Sequence, residues 1–189
     1  MVNKWIGTAL LLILMAGCTG EERSPLDTSI YNAESDKIGT ATLKETPEGV
    51  QVTLKVEGLE PGPHGLHVHE FPKCEPPDFQ TAGNHFNPLS KDHGLMNEKG
   101  PHAGDLPNVE ADASGMVDTE LVLPEATLKD DQMSLLRKEG TSLVITSEAD
   151  DGMSQPSGNS GERVACGKIT LKADGDEASD PTEPDKKEE

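Results

Sequence analysis

An antiparallel all-β fold, a sandwich or a barrel, is what the sequence predicts, on three observations. In Gly49-Val50-Gln51-Val52-Thr53-Leu54-Lys55-Val56 the apolar residues fill every second position, the period of a strand with one buried face. Similar short runs recur at Thr40 to Leu43, Gly65 to Phe71, Met116 to Leu123, Ser142 to Thr146 and Arg163 to Leu171. Turn signals such as Thr46-Pro47-Glu48-Gly49 and Glu60-Pro61-Gly62-Pro63 separate them. The one helical candidate is Lys129 to Glu139.

A chain of 189 residues has room for one domain and its tails. Residues 1–17 read as a lipoprotein signal: Lys4 supplies the positive start, Ala9 to Met15 form a short apolar run, and Leu14-Met15-Ala16-Gly17-Cys18 resembles a lipobox. Such a run is too short for a permanent span. An ordinary signal peptide or a buried helix are the competing readings. A lipidated Cys18 implies an extracytoplasmic protein anchored to the bacterial cell membrane. Residues 18–37 then read as an acidic flexible linker, 38–171 as the folded domain, and 172–189, with a net charge of −5, as an acidic disordered tail. The whole chain carries −19 and residues 38–171 carry −12, which argues against nucleic acid and an anionic membrane surface as partners. With Cys18 assigned to lipid, Cys74 and Cys166 remain. An oxidising compartment permits a disulfide between them, the alternative being two thiols.

Two long segments, Pro72 to Leu106 and Ser147 to Glu162, interrupt the β pattern, and structureless loops of that length in a compact domain are usually functional or disordered. All six histidines, His64, His67, His69, His85, His93 and His102, fall within residues 64–102. His67 and His69 stand two apart on an expected strand, so both imidazoles leave the same face and suit one metal. His85, His93, His102 and Asp105 supply three nitrogens and one oxygen, a set that suits a closed tetrahedral zinc site. A single histidine here would read as a hydrogen-bonded structural residue. The cluster reads as a metal site, because ordering an irregular loop costs conformational entropy that metal binding offsets. His64 keeps the role of a loop brace.

Gly65-Leu66-His67-Val68-His69-Glu70, Gly83-Asn84-His85-Phe86-Asn87-Pro88, His93, His102-Ala103-Gly104-Asp105-Leu106-Pro107 and Gly158-Asn159-Ser160-Gly161-Glu162-Arg163-Val164-Ala165-Cys166-Gly167 together resemble the signature blocks of the copper-zinc superoxide dismutase family. The resemblance covers residues 38–171 and implies an eight-stranded Greek-key β-barrel with two long functional loops. It implies copper on His67, His69 and His85, and zinc on His85, His93, His102 and Asp105, with His85 shared between them. Asp150 matches the aspartate that orients a histidine of each metal site. Arg163 matches the arginine that draws superoxide toward copper, so Arg163 and His85 would be the catalytic residues. Cys74 and Cys166 match the family disulfide.

One copper ligand is missing. The family places a histidine at the end of a strand of the form Leu-Val-Ile-His, ahead of Ala-Asp-Asp, and here Leu143-Val144-Ile145 is followed by Thr146. A neutral hydroxyl is a poor copper ligand, so copper should bind more weakly unless water, Glu148 or a neighbouring group substitutes. The loop Ser147 to Glu162 also contains no lysine, which leaves Arg163 and the metals to attract an anion to an acidic domain. The resemblance therefore implies dismutation of superoxide to oxygen and hydrogen peroxide at a weakened copper site beside a structural zinc. The alternative is a catalytically inactive zinc-binding relative that binds or buffers copper. A copper-delivery module would need a donor motif such as paired cysteines, which the chain lacks. The sequence leaves the oligomeric state open, a homodimer included.

Overall fold

Val50, Val52, Leu54 and Val56 alternate along one strand and are all buried, so the period of two becomes one inward face of a sheet. The structure is a computed structural model that describes residues 25–171. These residues carry nine strands: β1 Leu26–Asn32, β2 Lys37–Thr46, β3 Gly49–Val56, β4 Gly62–His64, β5 Leu66–His69, β6 Val109–Ala111, β7 Val117–Leu123, β8 Thr141–Thr146 and β9 Arg163–Ile169. Seven form one antiparallel sheet in the order β5-β8-β9-β1-β2-β3-β7, which curls into a half-barrel, and β4 pairs with β6 in a second, two-stranded ladder. The crossovers that bring β5 beside β8 and β3 beside β7 give the sheet its Greek-key character. The concave side is filled by Ile30, Leu43, Leu54, Leu66, Leu143, Ile145 and Ile169, all fully buried.

Two expectations are corrected. The flexible linker of residues 18–37 does not extend to its end, because Leu26–Asn32 is β1, paired with β2 along its length and with β9 at Tyr31 and Asn32. Thr28 and Ile30 are buried, and without β1 the edges of β2 and β9 would lie open. The helical candidate Lys129 to Glu139 is a string of turns, and no α-helix occurs among the described residues. Leu135 is buried there and Leu128 is buried just before it, where the Glu45 carboxylate accepts bonds from the Leu128 N–H (2.6 Å) and the Thr127 hydroxyl (2.9 Å). Inside the stretch the Met133 N–H bonds the Asp131 carboxylate (2.8 Å) and the Leu136 N–H bonds the Ser134 hydroxyl (3.2 Å), local side-chain partners that compete with helical pairing. Residues 1–17, Cys18 and the tail 172–189 lie outside the described residues.

The cysteines are joined: Cys74 and Cys166 form a disulfide across 92 residues, with Cα atoms 5.6 Å apart. It ties the loop after β5 to the middle of β9. A small second core of Phe79, Ala82, Val144 and Cys166 packs beneath that loop.

Ile30 tests whether β1 belongs to the cooperative fold. Ile30→Ala should lower the unfolding free energy by about 2–5 kcal/mol, the range for truncating a buried aliphatic side chain. An unchanged denaturant midpoint would place the strand outside that unit.

Candidate metal centre

Along β5, Leu66 and Val68 face the core, which turns His67 and His69 to the opposite side. β8 covers one edge of β5, and the long loop covers the other. Val68 N–H donates to Gly104 O (2.8 Å), Phe86 N–H to Val68 O (2.7 Å), Gly104 N–H to Phe86 O (2.9 Å) and Leu106 N–H to Leu66 O (3.2 Å). His85 and Asp105 are thereby set directly against His69 and His67. Gly104 is required at this crossing, since a Cβ there would lie 2.4 Å from Val68 O.

Six residues expected as ligands converge. One group joins His85, His93, His102 and Asp105; a second joins His67, His69 and His85; within each, the candidate ligand atoms lie within 4.8 Å of one another. His85 belongs to both. Its ring stacks on His67 at 4.0 Å between centroids, and its Nδ1 lies 2.9 Å from Asp105 Oδ1, leaving Nε2 to serve the His67–His69 side. A third grouping, His67, His93 and Asp150, is an orienting bridge. The Asp150 carboxylate takes His67 Nε2–H at 2.6 Å through Oδ2 and His93 Nε2–H at 3.1 Å through Oδ1. Gly158, with φ of 70°, lies against this carboxylate, where a Cβ would fall 1.9 Å from Oδ1.

The donor pattern tests whether a metal fits. His69 Nδ1–H donates to Gly83 O (2.9 Å), so its Nε2 bears a lone pair, and the Asp150 bonds leave bare Nδ1 atoms on His67 and His93. His67 Nδ1, His69 Nε2, His93 Nδ1 and His102 Nδ1 are buried and accept no hydrogen bond. His93 Nδ1 and His102 Nδ1 sit 3.1 and 3.3 Å from Asp105 oxygens without bonding alignment, the arrangement of neighbouring ligands around a shared centre. Orphaned buried acceptors are costly unless something fills the gap between them. The residues therefore fit metal ions in both groups.

Burial and the neighbouring carboxylates pull on the rings in opposite directions. Burial holds His69 well below its ordinary pKa, and burial pushes His85 down to about 4 against the opposing pull of Asp105. Burial also works against a charged His93, but the neighbouring Asp105 and Asp150 carboxylates outweigh it and raise this ring to about 9, so metal binding at its Nδ1 would displace a proton. Asp105 would be raised by its burial, yet contacts with His102, His85, His93 and the Gly94 N–H hold its carboxyl well below the usual carboxylate range. Asp150 follows the same pattern, with His67 and His93 overriding burial.

Beside the second group opens a cleft of about 520 Å³ lined by His69, His85, Thr146 and Arg163, among others. Arg163 is held on two sides, Nη1–H to Phe79 O and Nη2–H to Gly83 O, each at 2.8 Å. The β8–β9 register skips Val164, pairing Ile145 with Ala165 and Thr146 with Arg163, and this bulge turns both Thr146 and Arg163 into the cleft. The Thr146 hydroxyl lies between two main-chain oxygens, Glu148 O at 3.2 Å and Gly65 O at 3.3 Å, which share its one proton. Glu148 is exposed and does not line the cleft, so it offers no replacement ligand. His64 stands apart from the cluster and braces Glu60 O and Thr146 O, each at 2.7 Å.

Several positioning residues escape sequence patterning. The Asn108 side chain bonds both the N–H (2.9 Å) and the carbonyl (2.8 Å) of Asp150, and Gln155 does the same for His93 (2.8 and 2.9 Å). Phe79 serves Arg163 through its carbonyl, from a left-handed backbone at φ 52°. Neither a loop amide nor a main-chain oxygen leaves a periodic signal.

Fold and site define a class of metalloprotein with two adjacent imidazole-rich centres, and the comparisons give it a family. Residues 37–169 match the family model of copper/zinc superoxide dismutase. A copper-zinc superoxide dismutase of Aquifex aeolicus is 47% identical over 170 residues, covering 89% of this chain and 99% of that protein. The crystal structure of a superoxide dismutase-like protein from Bacillus subtilis aligns with a TM-score of 0.74 at 40% identity, over 76% of this chain and 97% of that one. The copper/zinc superoxide dismutase of Brucella abortus aligns with a TM-score of 0.66 at 31% identity, over 77% and 99%. The chain belongs to the copper/zinc superoxide dismutase family.

Asp150→Ala should weaken metal binding in both groups by about 10–100-fold, as loss of an orienting partner usually does. Competition against a chromophoric chelator measures this. Equal affinity in the variant would show that the carboxylate does not orient the rings.

Proposed function

We propose that the chain dismutates superoxide to oxygen and hydrogen peroxide, with copper on His67, His69 and His85 and zinc on His85, His93, His102 and Asp105. The observation that carries this is the set of four buried ring nitrogens stripped of hydrogen-bond partners, flanking a histidine common to both groups and opening on a cleft with an arginine. Copper, when bound, supplies one-electron redox chemistry. The chain's own residues supply the rest. Arg163, fixed by two carbonyls and half-buried, presents its remaining N–H groups and full charge to an anion in the cleft. His85 Nε2 faces the copper side and would hold a proton when not bound to copper, while Nδ1, 2.9 Å from Asp105 Oδ1, faces the zinc side, where both atoms would be ligands. His93, His102 and Asp105 close the zinc side, which keeps its full ligand set and fastens the long loop.

Thr146 weakens the copper half. Its hydroxyl points to Gly65 O and Glu148 O, so three imidazoles would hold the ion in place of four. That orientation also favours a second reading, a zinc-binding, non-catalytic relative that binds or buffers copper. Metal analysis and dismutase assays after dialysis against copper and zinc separate the two. The enzyme reading expects one copper and one zinc, activity above that of free copper, and its loss in His67→Ala. Zinc alone in the wild type, with copper and activity gained only in Thr146→His, would establish the second reading.

Extracytoplasmic anchoring through lipid on Cys18 belongs to the same proposal. The lipobox-like Leu14 to Cys18 supports it, and so does the Cys74–Cys166 disulfide, which persists in oxidising compartments. Cys18→Ser is expected to move the protein from the membrane to the soluble fraction; retention on the membrane would refute the anchor.

A further inference from the structure

The cleft is an exception in an acidic molecule. Residues 38–171 carry −12, and the loop Ser147 to Glu162 contributes Glu148, Asp150, Asp151 and Glu162 without a lysine. Yet the charged residues lining the cleft are Arg137, Lys138 and Arg163 against a single carboxylate, Glu70. Glu70 is itself engaged, accepting from the Asn84 N–H at 3.2 Å and the Asn84 side chain at 3.5 Å. Arg137 and Lys138 come from the turns that precede β8, outside both long loops. Arg137 is braced, with its guanidinium 5.9 Å from the Phe86 ring centroid and Nη1–H donating to Gln132 O at 3.2 Å. Lys138 is exposed, with a left-handed backbone at φ 57°. Neither forms an ion pair with a described residue. Phe86, beneath Arg137, follows His85 directly in the chain, so the braced cation is coupled to the metal cluster by packing.

We propose that Arg137 and Lys138 form an outer docking station for small oxyanions, which captures the anionic substrate at the cleft and delivers it to Arg163. The station rests on the reading of superoxide as substrate, and it places capture in the turns before β8. Low-dielectric walls lined by one sign of charge concentrate field lines, and such focusing raises association rates by about 10–10³-fold. Here it lets an acidic domain attract an anion. The contribution is long-range, so added salt should erase it.

Two measurements test the station. In the first, the full chain loaded with zinc alone is titrated with inorganic phosphate and followed by phosphorus NMR line width. The double variant Arg137→Gln with Lys138→Gln should bind phosphate about three- to tenfold more weakly, and Arg137→Lys, which keeps the charge but not the fork over Phe86, should bind as wild type does. Should the double variant fail to fold, Lys138→Gln alone, at an exposed position, should show part of the loss. Equal phosphate binding in wild type and double variant, or none in wild type, would overturn the station. In the second, the copper- and zinc-loaded protein is mixed with superoxide at several ionic strengths. The double variant should react about three- to tenfold more slowly at low salt, with a flatter salt dependence and convergence on wild type at high salt. Parallel salt curves would overturn the proposal. A wild type that does not dismutate would refute the enzyme reading, and the phosphate titration would then decide the station by itself.

Discussion

The outer edge of β5 carries the main constraint on this molecule. A strand edge exposes a row of N–H and C=O groups that must find partners. Here a long loop supplies them from its middle and from its end, Phe86 bonding Val68 in the first and Gly104 and Leu106 bonding Val68 and Leu66 in the second. The same bonds set His85 and Asp105 against His69 and His67. Satisfying the sheet and assembling the metal cluster are therefore one event. Gly104 marks how closely the two chains approach.

A second layer of constraint is electrostatic. Asp105 and Asp150 are carboxylates placed among imidazoles, and each spans more than one ring. Burying such groups is costly, and their mutual bonds offset only part of the cost while four ring nitrogens stay unpaired. Metal binding would thus add stability through the atoms that form the candidate site. Asp150 adds a mechanical link, because moving its carboxylate disturbs a ring in each group. Asn108 and Gln155 hold the backbones of Asp150 and His93 in place, so the orienting bridge is itself supported.

What could be read in advance followed from periodicity and chemistry. The alternation from Val50 to Val56 marks a strand face, the spacing of His67 and His69 puts two rings on one side, and six histidines within 39 residues announce a metal site. Other features left no such trace. β1 hides in an acidic, polar context, where only Leu26, Thr28 and Ile30 carry the alternation, and tertiary pairing with β2 and β9 outweighs composition. Residues 129–139 look helical locally but bury Leu135 through turns capped by side chains. The bulge at Val164 that aims Arg163 is a property of two paired strands, which one strand alone cannot announce. Arg137 and Lys138 adjoin the cleft only through folding, and their positions in the chain suggest no connection with the histidines.

The place of β1 has a consequence for how the chain is built. It sits between β2, its neighbour in sequence, and β9, whose Cys166 pairs with Tyr31 from the far end of the domain. Until the last strand is available, β1 can complete only one of its two edges. Contacts spanning so much of the chain make folding slow, since loop closure must precede the reward of pairing. The sheet therefore cannot close before β9 takes its place between β8 and β1, and β9 brings Arg163 with it.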